Sequence, residues 1–290
     1  MKIAIYGNKH QEAHIEALFR FFEALSSHPG LSVAMEYTFF NYLSRILPSQ
    51  PHVDEVIHGD KFSAQFALSL GGDGTFLRTA QWVGSKNIPI LGINTGHLGY
   101  LADTQIDEAT DIIDGIINNQ FKIEERSLIE VETDNESGPD WKFALNEVAI
   151  LKQDTASMIT VKAAIDDVDI ASYKCDGLII ATPTGSTGYN LSVGGPIIEP
   201  CAPNWVISPI AAHSLTMRPL VVRNTGIITA TTTSRASNYL LSLDGRSTTM
   251  QSGTTIKIRK APFSIKVAQR PDHHFCDTLR DKLLWGIDKR

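Results

Sequence analysis

At 290 residues the chain is too long for most single compact cores and suits two domains, and its 42% hydrophobic and 20% charged residues are those of an ordinary globular protein. A net charge of −6 argues against a general nucleic-acid binder, which needs a basic stripe. No apolar run approaches the ~20 residues of a membrane span, and Met1 opens straight into a strand-like segment with no signal peptide, so the expected compartment is the cytoplasm with no membrane partner.

The first 120 or so residues alternate strand and helix signals. Residues 3–7 read as a buried strand. Residues 11–28 put Ile15, Leu18, Phe19, Phe22 and Leu25 on one helical face before His28-Pro29-Gly30 stops the run. Strands are expected at 31–37, 66–70 and 89–93, and helices at 75–83 and 107–117, the last with acidic residues in its first turn. This alternation predicts an α/β domain with a Rossmann-like parallel sheet over residues 1–122.

From about residue 121 the texture changes. Stretches 158–165, 226–233 and 255–267 are rich in Val, Ile and Thr, and several alternate with period two, which predicts a β-rich, antiparallel, sandwich-like domain over 123–275. A closing helix at 277–285, with Leu279, Leu283 and Leu284 on one face, is expected to return to the first domain as part of 276–290. Cys175, Cys201 and Cys276 are widely spaced and form no CxxC pair, against structural zinc or a disulfide framework.

The sharpest motif is Gly71-Gly72-Asp73-Gly74-Thr75, where a buried strand gives way to a helix. Glycines there let the backbone approach a ligand, and the helix start supplies free N–H groups, which together suit a phosphate site. Asp73 adds what a phosphate cradle does not need, because a carboxylate beside phosphates is unfavourable unless it takes a proton or holds a cation. A tight turn with a solvated Asp is the plain alternative. Neither G-x-x-x-x-G-K-[ST] nor an early G-x-G-x-x-G is present, which disfavours a P-loop kinase and an ordinary Rossmann dehydrogenase.

Asn94, Thr95 and His97, in a second glycine-rich segment at 92–100, are candidate donors to phosphates or a ribose; a structural loop fits equally well. Residues 176–196 run from a strand into a loop where Thr182, Thr184, Ser186, Thr187 and Tyr189 crowd around glycines, more hydroxyls than a turn needs and suited to a nucleoside or dinucleotide. Asn146-Glu147 lies in the apolar stretch 143–151 and needs partners, for which a ribose diol or an adenine edge is suitable; an exposed strand edge is the alternative. His10 and His14 lack the Glu of a zincin, 184–188 falls short of a G-x-S-x-G elbow, and His273-His274 reads as surface.

Together the GGDGT turn, Asn94-Thr95-Gly96-His97, Asn146-Glu147, segment 176–196 and Leu243-Asp244-Gly245-Arg246 resemble the NAD kinase family. The turn is shared with diacylglycerol, sphingosine and 6-phosphofructo-kinases, whereas the long segment is specific to NAD kinases. The resemblance implies an α/β nucleotide domain followed by a β-rich domain, with ATP as phosphoryl donor and NAD as substrate. It implies that Asp73 is the general base and that Gly74 and Arg78 flank the nucleotide. Asn146 and Glu147 would hold the adenosine part of NAD. Lys174 and Asp176 would lie near the nicotinamide end, reached from a neighbouring subunit of a homodimer or homotetramer. Thr184, Thr187, Gly188, Tyr189, Asn190, Leu191 and Ser192 would line the dinucleotide pocket, with Ala211 and Arg246 at its edge. Departures are Gly188 where Ala is usual, Lys174 where Arg is common and Arg246 where Gln or His also occurs.

The expected chemistry is in-line transfer of the γ-phosphoryl of ATP to the 2′-hydroxyl of the adenosine ribose, with Mg²⁺ on the ATP phosphates keeping most of its waters. The alternatives are a lipid or sugar kinase that shares the turn and a non-catalytic NAD(P) sensor. A lipid kinase needs an apolar acceptor pocket, and a pure binder has no use for Asp73.

Overall fold

The computed structural model describes residues 1–96, 99–134, 138–154 and 158–286. The chain forms two units, Met1–Glu125 with Ile265–Arg290, and Arg126–Ser264.

In the first unit, β1 (Lys2–Gly7), β2 (Ser32–Glu36), β3 (Glu55–Ile57), β4 (Phe66–Leu70) and β5 (Ile90–Asn94) lie parallel in the order β3-β2-β1-β4-β5, and β6 (Thr104–Gln105) pairs with β5. Helices α1 (Ile15–Ser26), α2 (Tyr37–Ile46), α3 (Asp73–Val83) and α4 (Ala109–Ile117) connect them. Every residue of β4 and β5 is buried, as expected for parallel strands covered on both faces. Leu18, Phe21, Phe22 and Leu25 form the buried face of α1, whereas Ile15 and Phe19 are only partly covered.

The expected strand at 31–37 ends at Glu36, and α2, which the sequence reading left out, begins at once. Glu36 caps it by accepting the Phe39 N–H at 2.8 Å, and Phe39 and Leu43, four residues apart, bury its inner face. The strand order reverses between β1 and β4, the place where such sheets open a ligand crevice at their carboxyl ends. Gly71-Gly72-Asp73 follows β4 directly.

The second unit contains most of β7 (Lys122–Thr133), β8 (Phe143–Ala144), β9 (Glu147–Lys152), β10 (Ile159–Ile165), β11 (Val168–Cys175), β12 (Gly177–Ala181), β13 (Asn204–Ile210), β14 (Leu220–Arg223), β15 (Ile228–Ser234), β16 (Asn238–Leu243), β17 (Arg246–Gln251) and most of β18 (Thr255–Gln269). One antiparallel sheet runs β14-β13-β12-β9-β16-β17, and the other includes β11-β10-β15-β18. Alternate residues of both sheets, among them Val148, Ile150, Val161, Trp205, Ala230 and Tyr239, meet in one buried core. The only α-helix in the described part of this unit is α5 (Tyr189–Ser192), preceded by a 3₁₀ turn at Thr184–Thr187. The chain re-enters the first unit at Ile265 within β18, where Val267 pairs with Ile90, and ends in α6 (Phe275–Leu283).

Leu68 is fully buried in β4, paired with Ile5 and Leu91 on either side. Leu68→Ala should destabilise the first unit by about 2–5 kcal/mol, seen as a lower urea midpoint at unchanged slope.

Candidate active site

Asp73 is the first residue of α3, yet its carboxylate does not cap that helix. It reaches the loop that follows β5, where Oδ2 accepts the Tyr100 N–H at 2.8 Å and Oδ1 accepts the Leu101 and Ala102 N–H groups at 2.9 and 3.1 Å. A carboxylate has about four lone-pair sites, so one on Oδ2 is left for a substrate hydroxyl. The loop comes this close because residue 99 is glycine; a Cβ there would sit 1.9 Å from Asp73 Oδ1. Gly72, Gly74 and Arg78 are exposed around Asp73 in the sequence of the turn. Asn94 is buried, with its Oδ1 accepting the Gly96 N–H at 2.6 Å and its Nδ2 donating to the Ala102 carbonyl at 3.3 Å, so its amide supports this loop. Thr95 is buried beside it, and His97 lies outside the described residues.

The second unit carries a matching arrangement. Asp244 and Gly245 form the two-residue turn between β16 and β17, with φ of 49° and 80°, the positive pair that a tight hairpin turn of type I′ requires. From this tip Asp244 accepts the N–H groups of Leu145, Asn146 and Glu147 at 2.8, 2.8 and 3.1 Å. Burial pushes its carboxyl up, and the three amides and Arg246 oppose the shift. Asn146 and Glu147 are thus held from behind, through their backbone. Their side chains are not spent: Asn146 Oδ1 and Glu147 Oε2 are both buried and accept no hydrogen bond. Burial raises the Glu147 carboxyl to about 7, Asp244 adds to the rise, and the Tyr189 N–H opposes it.

Above this pair runs the hydroxyl-rich loop. A Cβ at Gly185 would meet the Asn146 carbonyl oxygen at 2.0 Å, so the loop packs directly on the Asn146 backbone. At Gly188 a Cβ would come within 3.2 Å of Glu147 Oε2 and 3.5 Å of Asn146 Nδ2, so that turn passes close to the free acceptor of Glu147 and to the Asn146 side-chain amide.

Several of the loop's polar side chains turn inward. Thr182 Oγ1 donates to the Leu145 carbonyl at 2.6 Å, and Ser186 Oγ donates to the Pro183 carbonyl at 2.6 Å. Asn190 is fully buried; its Nδ2 donates to the carbonyls of Ser186 and Pro196, and its Oδ1 accepts from Ser208. Thr184 is also buried, Thr187 and Leu191 are half-buried, and Tyr189 and Ser192 are exposed. Lys174 and Ala211 are exposed, Asp176 pairs with Lys152 at 2.9 Å, and Arg246 Nη2 reaches the Phe143 carbonyl at 3.5 Å.

Two features escaped the sequence reading. Asp244 is legible only as part of a turn, because Asp-Gly between two alternating runs is a turn signal and the amides it holds lie about 100 residues away. His273, expected at the surface, is only partly exposed and faces the buried carboxylate of Asp103 at 3.5 Å.

A parallel sheet with a backbone-held carboxylate after its switch-point strand, and a β unit offering two unpartnered buried acceptors, suit an enzyme of the nucleotide-handling class. Comparison with known proteins agrees. The family model described as the ATP-NAD kinase N-terminal domain matches residues 5–121, and that of the ATP-NAD kinase C-terminal domain matches residues 145–270. An NAD kinase of Bacteroides fragilis is 44% identical over 290 residues, covering 100% of both chains. One of Porphyromonas gingivalis is 45% identical over 292 residues, covering 100% of this chain and 99% of its own.

Two solved structures share the fold. Yeast NADH kinase complexed with NADH has a TM-score of 0.89 at 23% identity, covering 100% of this chain and 89% of the other. An NAD kinase from Archaeoglobus fulgidus in complex with ATP has a TM-score of 0.71 at 26% identity, covering 99% of this chain and 98% of the other. The chain belongs to the NAD kinase family. Its reaction is the ATP-dependent phosphorylation of NAD.

A carboxyl raised from 4.5 to about 7 binds its proton more tightly folded than unfolded. The stability it contributes is therefore full below its unfolded value and is lost as pH rises through about 7. Ligand-free enzyme should lose about 2–3 kcal/mol relative to Glu147→Gln between pH 5 and pH 8 in urea titrations. Parallel pH dependences in the two proteins would show that Glu147 ionises normally.

Proposed function

We propose that Asn146 and Glu147 bind the adenosine part of NAD and that Asp73 accepts the hydroxyl proton during phosphoryl transfer. The observation that carries this reading is the pair of buried, unpartnered acceptors, Asn146 Oδ1 and Glu147 Oε2. Buried acceptors left unmade are costly, and the adenosine part of NAD carries the ribose 3′-hydroxyl and the adenine amino group as donors for such a pair, which leaves the 2′-hydroxyl proton for Asp73. Thr184, Thr187, Gly188, Tyr189, Leu191 and Ser192 belong to the wall of the dinucleotide site, and Asn190 supports it from inside. Asp176, Lys174, Ala211 and Arg246 form its outer edge.

As the 2′-oxygen bonds to the γ-phosphorus of ATP and the bond to the leaving ADP oxygen breaks, the hydroxyl proton passes to the open lone pair of Asp73 Oδ2. Three backbone amides keep this carboxylate in place, so little reorganisation accompanies the transfer. Gly74 and Arg78 border the nucleotide phosphates, where the N-terminus of α3 and the Arg78 guanidinium favour negative charge. Among the described residues no three His, Cys, Asp or Glu side chains form a metal cage. A Mg²⁺ ion carried by the ATP phosphates and water would neutralise phosphate charge.

We further propose a homodimer or homotetramer. Its support is the apolar edge of the second unit, where Leu220 and Val221 of β14 are 39% and 46% exposed and Leu215 nearby in the chain is 90% exposed.

A coupled assay with NAD, ATP and Mg²⁺, read by an NADP-specific dehydrogenase, tests the assignment. Asp73→Asn should fold and bind NAD while kcat falls by roughly 10²–10⁴. Undiminished turnover would remove Asp73 from the reaction, and wild-type protein that binds NAD without making NADP would be a sensor. NAD binding near pH 7 should also release up to about half a proton, because hydroxyl donors favour the ionised form of Glu147. Titration calorimetry in two buffers of different ionisation enthalpy reads this release directly.

A further inference from the structure

The loop that holds Asp73 is itself anchored from the far end of the first unit. Directly after the three amides that bind Asp73 comes Asp103, whose side chain is only 8% exposed. Its Oδ1 takes a long bond from Thr104 Oγ1 at 3.4 Å, while Oδ2 is buried and accepts no hydrogen bond. Burial pushes this carboxyl up, and His273 and Arg270 are among the groups that oppose the shift.

Facing Oδ2 at 3.5 Å is Nε2 of His273, from the segment between β18 and α6. The same Nε2 lies 2.7 Å from Thr278 Oγ1 on α6, and the His273 N–H donates to the Arg270 carbonyl at 3.1 Å. Arg270 in turn pairs with Glu108, just beyond β6. The 99–103 loop is thus clamped on both sides, by Asp73 through its amides and by the returning segment through Asp103. Lys282 on α6 also carries a charge that senses both Asp73 and Asp103.

Only a proton on Nε2 makes this contact favourable. A neutral ring protonated on Nδ1 would turn a lone pair on Nε2 toward the carboxylate, whereas Nε2–H, in the neutral ring or the imidazolium, bonds Thr278 Oγ1 and sets the positive edge of the ring against Asp103 Oδ2. A desolvated carboxylate without that positive edge beside it would leave its site or take up a proton, and either change shifts residues 100–102.

We propose that Asp103 and His273 are positioning residues for phosphoryl transfer, a clamp that sets the amides of Tyr100, Leu101 and Ala102 and so aims the Asp73 carboxylate. The inference rests on the assignment of Asp73 as proton acceptor. It gives the segment between β18 and α6 a role in turnover.

The test is a double-mutant cycle between His273→Leu and Asp73→Asn, with kcat and KM for NAD and ATP measured alongside melting temperature. His273→Leu should lower kcat by about 10- to 100-fold with KM for NAD within about twofold, the size of loss that a shift of about 1 Å in a reacting group produces. In the Asp73→Asn background the same substitution should cost less than about twofold, because the group it aims is already gone. His273→Gln, whose amide can still donate toward Asp103, should recover most of kcat. Should His273→Leu fail to fold, His273→Asn, too short to reach Asp103, takes its place in the cycle. Equal losses in both backgrounds, or an unchanged kcat for His273→Leu, overturn the clamp while leaving Asp73 as the acceptor. Full activity of Asp73→Asn alone overturns the Asp73 assignment instead.

Discussion

Both halves of this enzyme depend on one interaction, an aspartate carboxylate that accepts three consecutive backbone amides. Asp73 takes those of Tyr100, Leu101 and Ala102, and Asp244 takes those of Leu145, Asn146 and Glu147. Three N–H groups in succession leave a loop with unsatisfied donors and a concave positive face, and a carboxylate satisfies them all. Hydrogen bonds to a charged acceptor are each worth about 1.5–3 kcal/mol, enough for three to fix a short loop before substrate arrives. Gly99 makes the approach to Asp73 possible, and in the second unit Gly185 lets the hydroxyl-rich loop pack on the Asn146 backbone that Asp244 holds.

The two anchors serve different ends. Asp244 is purely a brace: with its oxygens on the backbone of Asn146 and Glu147, it leaves their side chains free and adds to the field that keeps Glu147 partly protonated near neutrality. Asp73 is braced in the same way, but one lone pair on Oδ2 stays open, and the proposed proton transfer uses it. Much of the loop at residues 182–192 also works inward. Thr182, Ser186 and Asn190 shape it by bonding to backbone and to Ser208, which leaves fewer side chains for a ligand than its composition suggests.

The architecture was legible because buried parallel strands read as uninterrupted apolar runs and half-buried antiparallel strands alternate. Strands β4 and β5 are entirely buried, while β10 and β15 alternate buried and half-covered positions. Helix α2 was not legible. It starts without a break from β2, and its cap, Glu36, is also the last strand residue, so one apolar stretch with no turn signal covers both.

At the site, Asp73 and the Asn146-Glu147 pair stand out locally, as a carboxylate among glycines and as polar residues in an apolar run. Their supports do not, because each lies far off in sequence. Asp244 is about 100 residues from the amides it holds, and His273 faces a carboxylate 170 positions earlier. A histidine beside a second histidine near the chain end carries no local mark of such a contact. Only the fold supplies it.

Amide hydrogen exchange of the ligand-free enzyme tests the central claim that carboxylates, not substrates, set these two loops. The amides of Tyr100, Leu101, Ala102, Leu145, Asn146 and Glu147 should exchange slowly in the wild-type protein. The first three should become fast in Asp73→Ala and the last three in Asp244→Ala, each change confined to its own loop. Fast exchange of all six in the free wild-type enzyme, slowing only when NAD or ATP is added, would contradict the account.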